Sequence, residues 1–323
     1  MRTLLRPLIL PFLRRDEGEI VRQAERFRIE TNAGKALIAD LGRAFLGGYN
    51  AMLESESPAR VAETGMQVPS HYRPFFFEGA AMGYLPRGYF SPGYTTERAE
   101  RDLVGMNPDF LFLYYVGLGF WFGFRHPKRP ETLQTLAEHV DSMYFPLCYD
   151  GYGFKLGFFD YRGSGSVDRQ LERCPSDLRP FIYQGFGRAM FFVYMDDEKG
   201  LGAARESVPR EHHADFEIGR SLALGFTGVD RPRALLRHLT AARDADELAA
   251  RLTGVTWALT AREMNDGEYL ARCLGRSGET DTSLLEQLPA FCRAAREEAT
   301  SYADWQVRTR EAVLNFHATL CSR

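Results

Sequence analysis

A pair of small residues, the second four positions after the first, recurs along this chain about every 34 residues. The copies are Ala44/Gly48, Gly79/Gly83, Gly119/Gly123, Gly153/Gly157, Gly185/Ala189, Gly219/Ala223 and Gly254/Ala258. Most sit in aromatic or aliphatic text such as FFFEGAAMGY, YYVGLGFWFGF and YQGFGRAMFFVY. A period of this size marks a repeated helical hairpin. Small residues at i and i+4 share one helix face and let a neighbouring backbone approach. Polar segments between the copies, such as ETLQTLAEHVDSMYF (131–145) and DEKGLGAARES (197–207), read as outer partner helices. GFKLGFFDYR (153–162) has the composition of a strand, but the recurrence assigns it to the helical repeat. The prediction is an all-α chain of repeated helix pairs, either an α-solenoid or an α/α toroid. It forms one domain over 1–323, with 1–32 as an extension ending in a charged helix and 283–323 as C-terminal helices.

Composition narrows the partners. A net charge of −3 gives no case for nucleic acid or an acidic membrane as a partner. Five scattered cysteines, Cys148, Cys174, Cys273, Cys292 and Cys321, show no metal spacing and fit a reduced cytoplasm. The apolar run at the N-terminus is broken by Pro7 and Pro11 and lacks a cleavage site. The uncharged stretch Phe110–Phe124 is shorter than the ~20 residues of a spanning helix. A cytoplasmic protein is expected, with peripheral membrane contact through 1–13 and 110–124 as the alternative.

The inner helices carry few charges, so those present are the candidates for chemistry. Glu78, Asp150 and Arg188 are the catalytic candidates. A carboxyl among aromatic rings has its pKa raised by desolvation, which suits a general acid. Alternatively, Glu78 and Asp150 cap helices or pair with Arg188 or Arg220. Phe77, Trp121, Tyr152, Tyr183, Phe186 and Trp257 are the expected lining of an apolar substrate site. Asp196 and Asp197, before Glu198, form an acidic cluster that would suit Mg2+ or a metal–diphosphate complex, or else a helix start. His213 and Glu217 lie at i and i+4 with no third ligand at a recognisable spacing, which favours a loop and helix start over a metal site. The Gly-x-Gly pairs at 117/119, 151/153 and 185/187 follow no strand, so they are not a dinucleotide fingerprint. The GSGS run at 163–166 reads as a loop, and PRGYFSPGY (86–94) interrupts a helix with a loop that either covers a pocket or is only an insertion.

The words FFEGAAMG (76–83), DGYGF (150–154), YQGFGRAMFFV (183–193) and DFEIGRSLAL (215–224) resemble a bacterial domain-of-unknown-function family found in enediyne biosynthetic clusters. The resemblance spans roughly residues 70–310. It implies an accessory protein of specialised metabolism, working beside an iterative polyene-making polyketide synthase. It supplies no catalytic residues. The loop at 86–94 and the acidic cluster at 196–198 depart from the pattern and put a shared substrate in doubt.

Together these features lead to an expected enzyme that cyclises or rearranges an apolar polyene, polyketide or isoprenoid, in an aromatic-lined cavity. Its initiation is either protonation by Glu78 or Asp150, or metal-assisted ionisation at Asp196 and Asp197 as in a terpene cyclase. The contrasting expectation is a non-catalytic helical scaffold or carrier for a biosynthetic partner, with a homodimer compatible with either. An enclosed aromatic cavity with an inward carboxyl separates the two.

Overall fold

The computed structural model describes residues 6–321, apart from 26, 28, 56, 163–166, 168–170, 172, 196 and 277–280. Among the described residues there is no strand, and helices form the repeat. The inner helices are α3 (Asn32–Glu54), α5 (Arg73–Arg87), α7 (Leu111–Arg125), α9 (Pro146–Lys155), α10 (Arg179–Val193), α12 (His213–Thr227) and α14 (Ala245–Gly275), each packed on the next. Shorter outer elements connect them: α4 (Pro58–Gln67), α6 (Thr96–Val104), α8 (Gln134–Ala137), α11 (Glu198–Glu206) and α13 (Pro232–Thr240). The expected outer helix over 131–145 is thus reduced to a 3-10 turn and a single α-turn. Two short helices, α1 (Arg6–Leu13) and α2 (Glu17–Ala24), precede the repeat. Two longer ones, α15 (Ser283–Glu298) and α16 (Tyr302–Cys321), follow it.

Local signals set the ends of these helices. Ser57 and Asp244 accept hydrogen bonds from the backbone amides of Arg60 and Glu247 at 3.4 and 2.8 Å, and Pro58 occupies the first turn of α4, where a missing N–H costs nothing. Pro86 lies in the last turn of α5, which ends at Arg87, and the following loop buries Phe90 against Tyr49, Leu53, Met82 and Phe120. Segment 153–162 is not a strand. Helix α9 runs to Lys155 and widens into a π-turn over Leu156–Asp160.

The glycines explain how the inner helices meet. A methyl group at Gly79 would overlap the carbonyl oxygen of Phe45, and one at Gly48 that of Phe76. The same reciprocity links Gly119 with Cys148 and Gly151 with Val116, then Gly153 with Ile182 and Gly185 with Asp150. It continues with Gly187 against Phe216 and Gly219 against Gln184. In each case a glycine sits against the carbonyl three positions before the partner helix's own small residue. Two backbones in this contact allow Cα–H···O interactions and exclude any side chain. The operative pattern is therefore small-x-small: in Gly117-Leu118-Gly119, the first residue meets the preceding helix and the second the following one. Positions i and i+2 lie on nearly opposite helix faces, as a helix flanked on both sides requires. The i, i+4 pair is secondary, since Gly123 and Gly157 approach side chains of Lys155 and Ala189. Contacts advance in one direction, Gly79 to Phe45 and Gly83 to Tyr49, so neighbouring inner helices run parallel and the outer elements carry the chain back.

The repeat curls until late and early helices touch. Phe226 of α12 packs edge-on against Phe75 of α5 at 5.5 Å. Buried Arg262 of α14 donates to the carbonyls of Phe226 (2.8 Å) and His71 (3.0 Å), and Arg73 pairs with Asp266 at 3.4 Å. Between the solenoid and toroid alternatives, these contacts favour the toroid. No helix among the described residues is long and apolar enough to cross a membrane. The stretch 110–124 forms α7 within the ring, largely buried.

Candidate functional site

The inner helices enclose a cavity of about 410 Å3. Its lining obeys a positional rule. The residue before the small-x-small unit on α5, α7, α9 and α10 faces inward, and positions four and eight further on supply lining residues on these helices and on α14. This gives Glu78 and Met82 on α5, Val116, Phe120 and Phe124 on α7, and Asp150, Phe154 and Phe158 on α9. It also gives Gln184, Arg188 and Phe192 on α10, and Trp257 and Ala261 on α14. Aromatic residues are the largest class in the wall, and several pack edge-on, as Phe120 does on Phe45 (5.3 Å) and on Phe154 (5.5 Å). The π-turn after α9 brings both Phe158 and Phe159 to the wall.

The extension before the repeat closes one side. Gln23 donates to the carbonyl of Phe158 at 2.6 Å, Tyr49 to that of Leu13 at 3.1 Å, and Asn50 to that of Arg15 at 2.7 Å. Arg15 and Glu19 line the cavity yet keep 46% and 38% of their side chains exposed, in a 3.4 Å ion pair. They mark where the cavity meets solvent.

Polar groups are concentrated on α5, α9 and α10. Asp150 is 2% exposed and pairs with Arg188 at 2.6 Å. The Gln184 amide donates to its other oxygen at 3.2 Å and accepts from Gln306 at 2.6 Å. The Asp150–Arg188 contact lies off the hydrogen-bonding direction, so Asp150 Oδ1 and Arg188 Nε and Nη2 are enclosed without a hydrogen-bond partner among the described residues. Arg188 also stands 5.0 Å over the Phe154 ring. Burial pushes Asp150 above the usual carboxylate range, while Arg188 and the Gln184 amide oppose that rise. Glu78 is 6% exposed and has no hydrogen-bond or ion-pair partner among the described residues. Desolvation raises its pKa to about 7; Arg188 lowers it and Asp150 adds to the rise. Glu78 neither caps a helix nor forms an ion pair, whereas Asp150 takes the Arg188 partner that the sequence allowed.

The three catalytic candidates Glu78, Asp150 and Arg188 therefore line one cavity, together with Trp121 and Trp257. Four expected lining residues do not. Phe77 stacks on Phe110 at 4.0 Å, and Tyr183 stacks on His212 at 4.4 Å. Tyr152 donates to the His126 carbonyl at 3.0 Å, and Phe186 packs on Tyr161 and Phe216. They lie off the inward register, on faces that meet neighbouring elements. Asp197 is the N-cap of α11, accepting from the Gly200 amide at 2.8 Å, and Asp196 lies outside the described residues, as does the GSGS run. Among the described residues no group of three or more His, Cys, Asp or Glu side chains is placed to hold a metal. Glu217 joins a buried network with Arg251 (3.1 Å) and Arg220 (3.5 Å), while His213 bonds the Val208 carbonyl. The loop after α5 borders a separate groove with Trp121, Arg125 and His126. Sequence reasoning missed Arg15, Glu19, Gln23 and Tyr302, which reach the cavity from outside the repeat.

Fold and site define a helical repeat protein whose inner helices surround an aromatic cavity bearing a carboxyl that has no partner among the described residues. The chain belongs to the family described as "Protein of unknown function (DUF1702)", whose model matches residues 5–313. No curated protein and no solved structure matches the chain.

Proposed function

We propose that this protein is an enzyme that cyclises or rearranges an apolar polyene, with Glu78 as the proton donor. One observation carries this: a carboxyl with no partner among the described residues, its pKa raised to about 7, facing an enclosed aromatic cavity. At neutral pH a large fraction of Glu78 is protonated, so an acid is present at an aromatic wall. Its O–H proton passes to a terminal carbon of the substrate, and the electron pair of that C=C bond forms the new C–H bond. The resulting cation takes the next C=C pair to close a ring. Rings such as Phe120, Phe154 and Trp257 would face the cation with their negative quadrupoles. Loss of a proton to the Glu78 carboxylate ends the sequence. Substrate and product are isomers, so no oxidant or reductant is needed.

Asp150 and Gln184 position Arg188, whose charge keeps Glu78 from rising further. A polyene from a polyketide synthase, in keeping with the enediyne-cluster resemblance, and a linear isoprenoid both suit the cavity. The protonation route is favoured over ionisation because Asp197 is engaged as a helix cap. A cavity at the centre of the ring with an inward carboxyl also favours an enzyme over a scaffold.

The test is incubation in D2O with a linear conjugated polyene hydrocarbon and with squalene. One solvent-derived deuterium should appear in an isomeric product, and Glu78→Gln should lower the rate at least about a hundredfold while the fold is retained. Unchanged turnover by Glu78→Gln would remove the acid assignment.

A further inference from the structure

The cavity holds more polar chemistry than protonating a hydrocarbon requires. A single acid among aromatic rings would serve that step. Here an arginine has been brought in beside it, at the cost of desolvating an ion pair, and its side chain keeps 13% of its surface accessible. Arg188 lines the cavity, and its Nε and Nη2 are enclosed without hydrogen-bond partners among the described residues. Nη1 is left as the nitrogen that reaches the open space. Glu78 faces the same space with no partner among the described residues. Two donors, one a cation and one a carboxylic acid when protonated, thus converge on a volume that no protein acceptor fills. The chemical complement of such a pair is an oxygen acceptor.

Charge decides which oxygen. Asp150 and Arg188 cancel as an ion pair. Glu78 adds nothing when protonated and one negative charge when ionised. The enclosed part of the site is therefore neutral or negative. A carboxylate or diphosphate end would enter an apolar cavity without a compensating cation and beside Asp150, which is unfavourable. A neutral carbonyl oxygen meets no such penalty, and it accepts from both donors.

We infer that the natural substrate is a polyene carrying one neutral carbonyl group, seated with its oxygen between the Glu78 carboxyl and Arg188 Nη1. This rests on the proposed function and narrows its substrate class from any apolar polyene to a conjugated polyenone or polyenal. For such a substrate the Glu78 proton goes to the carbonyl oxygen in place of the terminal carbon, a lone pair of that oxygen forming the O–H bond. The positive charge spreads along the chain and is met by the rings at Phe120, Phe154 and Trp257. A C=C pair then closes the ring onto the electron-poor chain, the Glu78 carboxylate takes a C–H proton, and return of the resulting enol to the ketone places one solvent-exchanged proton on carbon.

The experiment compares three ligands with the same conjugated tetraene chain: a hydrocarbon, a methyl ketone and a carboxylate. Binding is measured by quenching of tryptophan fluorescence, and the absorption band of the ketone is followed. The expected result is that the ketone binds about tenfold or more tightly than the hydrocarbon, as a hydrogen bond to a charged group provides. Its band should move to longer wavelength on binding, and the carboxylate should bind most weakly. In Glu78→Gln and in the paired variant Asp150→Asn/Arg188→Met, which removes the ion pair as a unit, the ketone-to-hydrocarbon ratio should fall towards one. Equal affinity for ketone and hydrocarbon, preference for the carboxylate, or a band that does not move would overturn the inference. Failure here with deuterium incorporation intact leaves acid-initiated chemistry standing on a hydrocarbon. Ketone preference without isomerisation would instead refute the enzymatic function and leave a carbonyl-specific carrier.

Discussion

The inner ring and the C-terminal bundle are both helical and both well buried, yet they are held together in opposite ways. In the ring, α3 through α12 meet backbone to backbone through glycines, and the bulk of each helix is projected elsewhere as aromatic side chains. In the bundle, Leu235, Leu252, Val255, Leu259, Leu274, Leu285, Leu288 and Val313 fill a solid aliphatic core. Gly267 and Gly275, towards the C-terminal end of α14, approach nothing closely, whereas Gly254, where α14 still belongs to the ring, sits against the Ile218 carbonyl. Side-chain packing fills the space between helices. Backbone packing removes that space from between the helices and lets a void persist at the centre, with large rings spanning its wall. The hollow part of the molecule is thus the part that tolerates no extra atoms between its walls.

The contrast can be broken most severely at the ring. Gly153→Ala or Gly185→Ala places a methyl group on a carbonyl oxygen that no rotamer can move, and the expected loss is about 3 kcal/mol or more, read by urea unfolding. A change of similar order should come from pH. The Glu78 carboxyl is raised to about 7 in the folded chain from an ordinary 4.5, so the folded state binds more protons between those values. The stability contribution is then complete below about 4.5 and is lost as pH rises through about 7, on the order of 3 kcal/mol in all. Glu78→Gln should flatten that part of the stability profile. In the bundle, Leu285→Met conserves volume in a deformable core and should cost less than about 1.5 kcal/mol. Smallest and opposite in sign, Gly202→Ala in exposed α11, where a methyl group meets nothing within 4 Å, should stabilise by about 0.5–1 kcal/mol through helix propensity.

The helical repeat was legible because glycine cannot be exchanged at a backbone contact, so its period survives in the sequence. Its geometry was not, because i, i+2 and i, i+4 pairs overlap in words such as YYVGLGFWFGF, and only the contacts decide between them. The charged candidates were legible for a related reason: Glu78, Asp150 and Gln184 each stand immediately before a small-x-small unit, the position that turns inward. Choosing among aromatics was harder. An inner helix is buried both towards the cavity and towards its neighbours, so apolar periodicity does not distinguish Phe77 from Met82 or Tyr152 from Phe154. The same register would have rejected Phe77, Tyr152, Tyr183 and Phe186. Nothing in the repeat could announce Gln23 or Tyr302, which belong to segments folded across the ring from outside it.

The central claim is that the ring shelters a carboxylic acid. The most direct measurement is infrared difference spectroscopy of the protonated carboxyl C=O stretch across a pH titration, in the native chain and in Glu78→Gln. One carboxyl titrating near 7, absent from the variant and perturbed by a bound polyene ketone, is the predicted result. A Glu78 that titrates in the ordinary range of surface glutamates and ignores the ligand would contradict it.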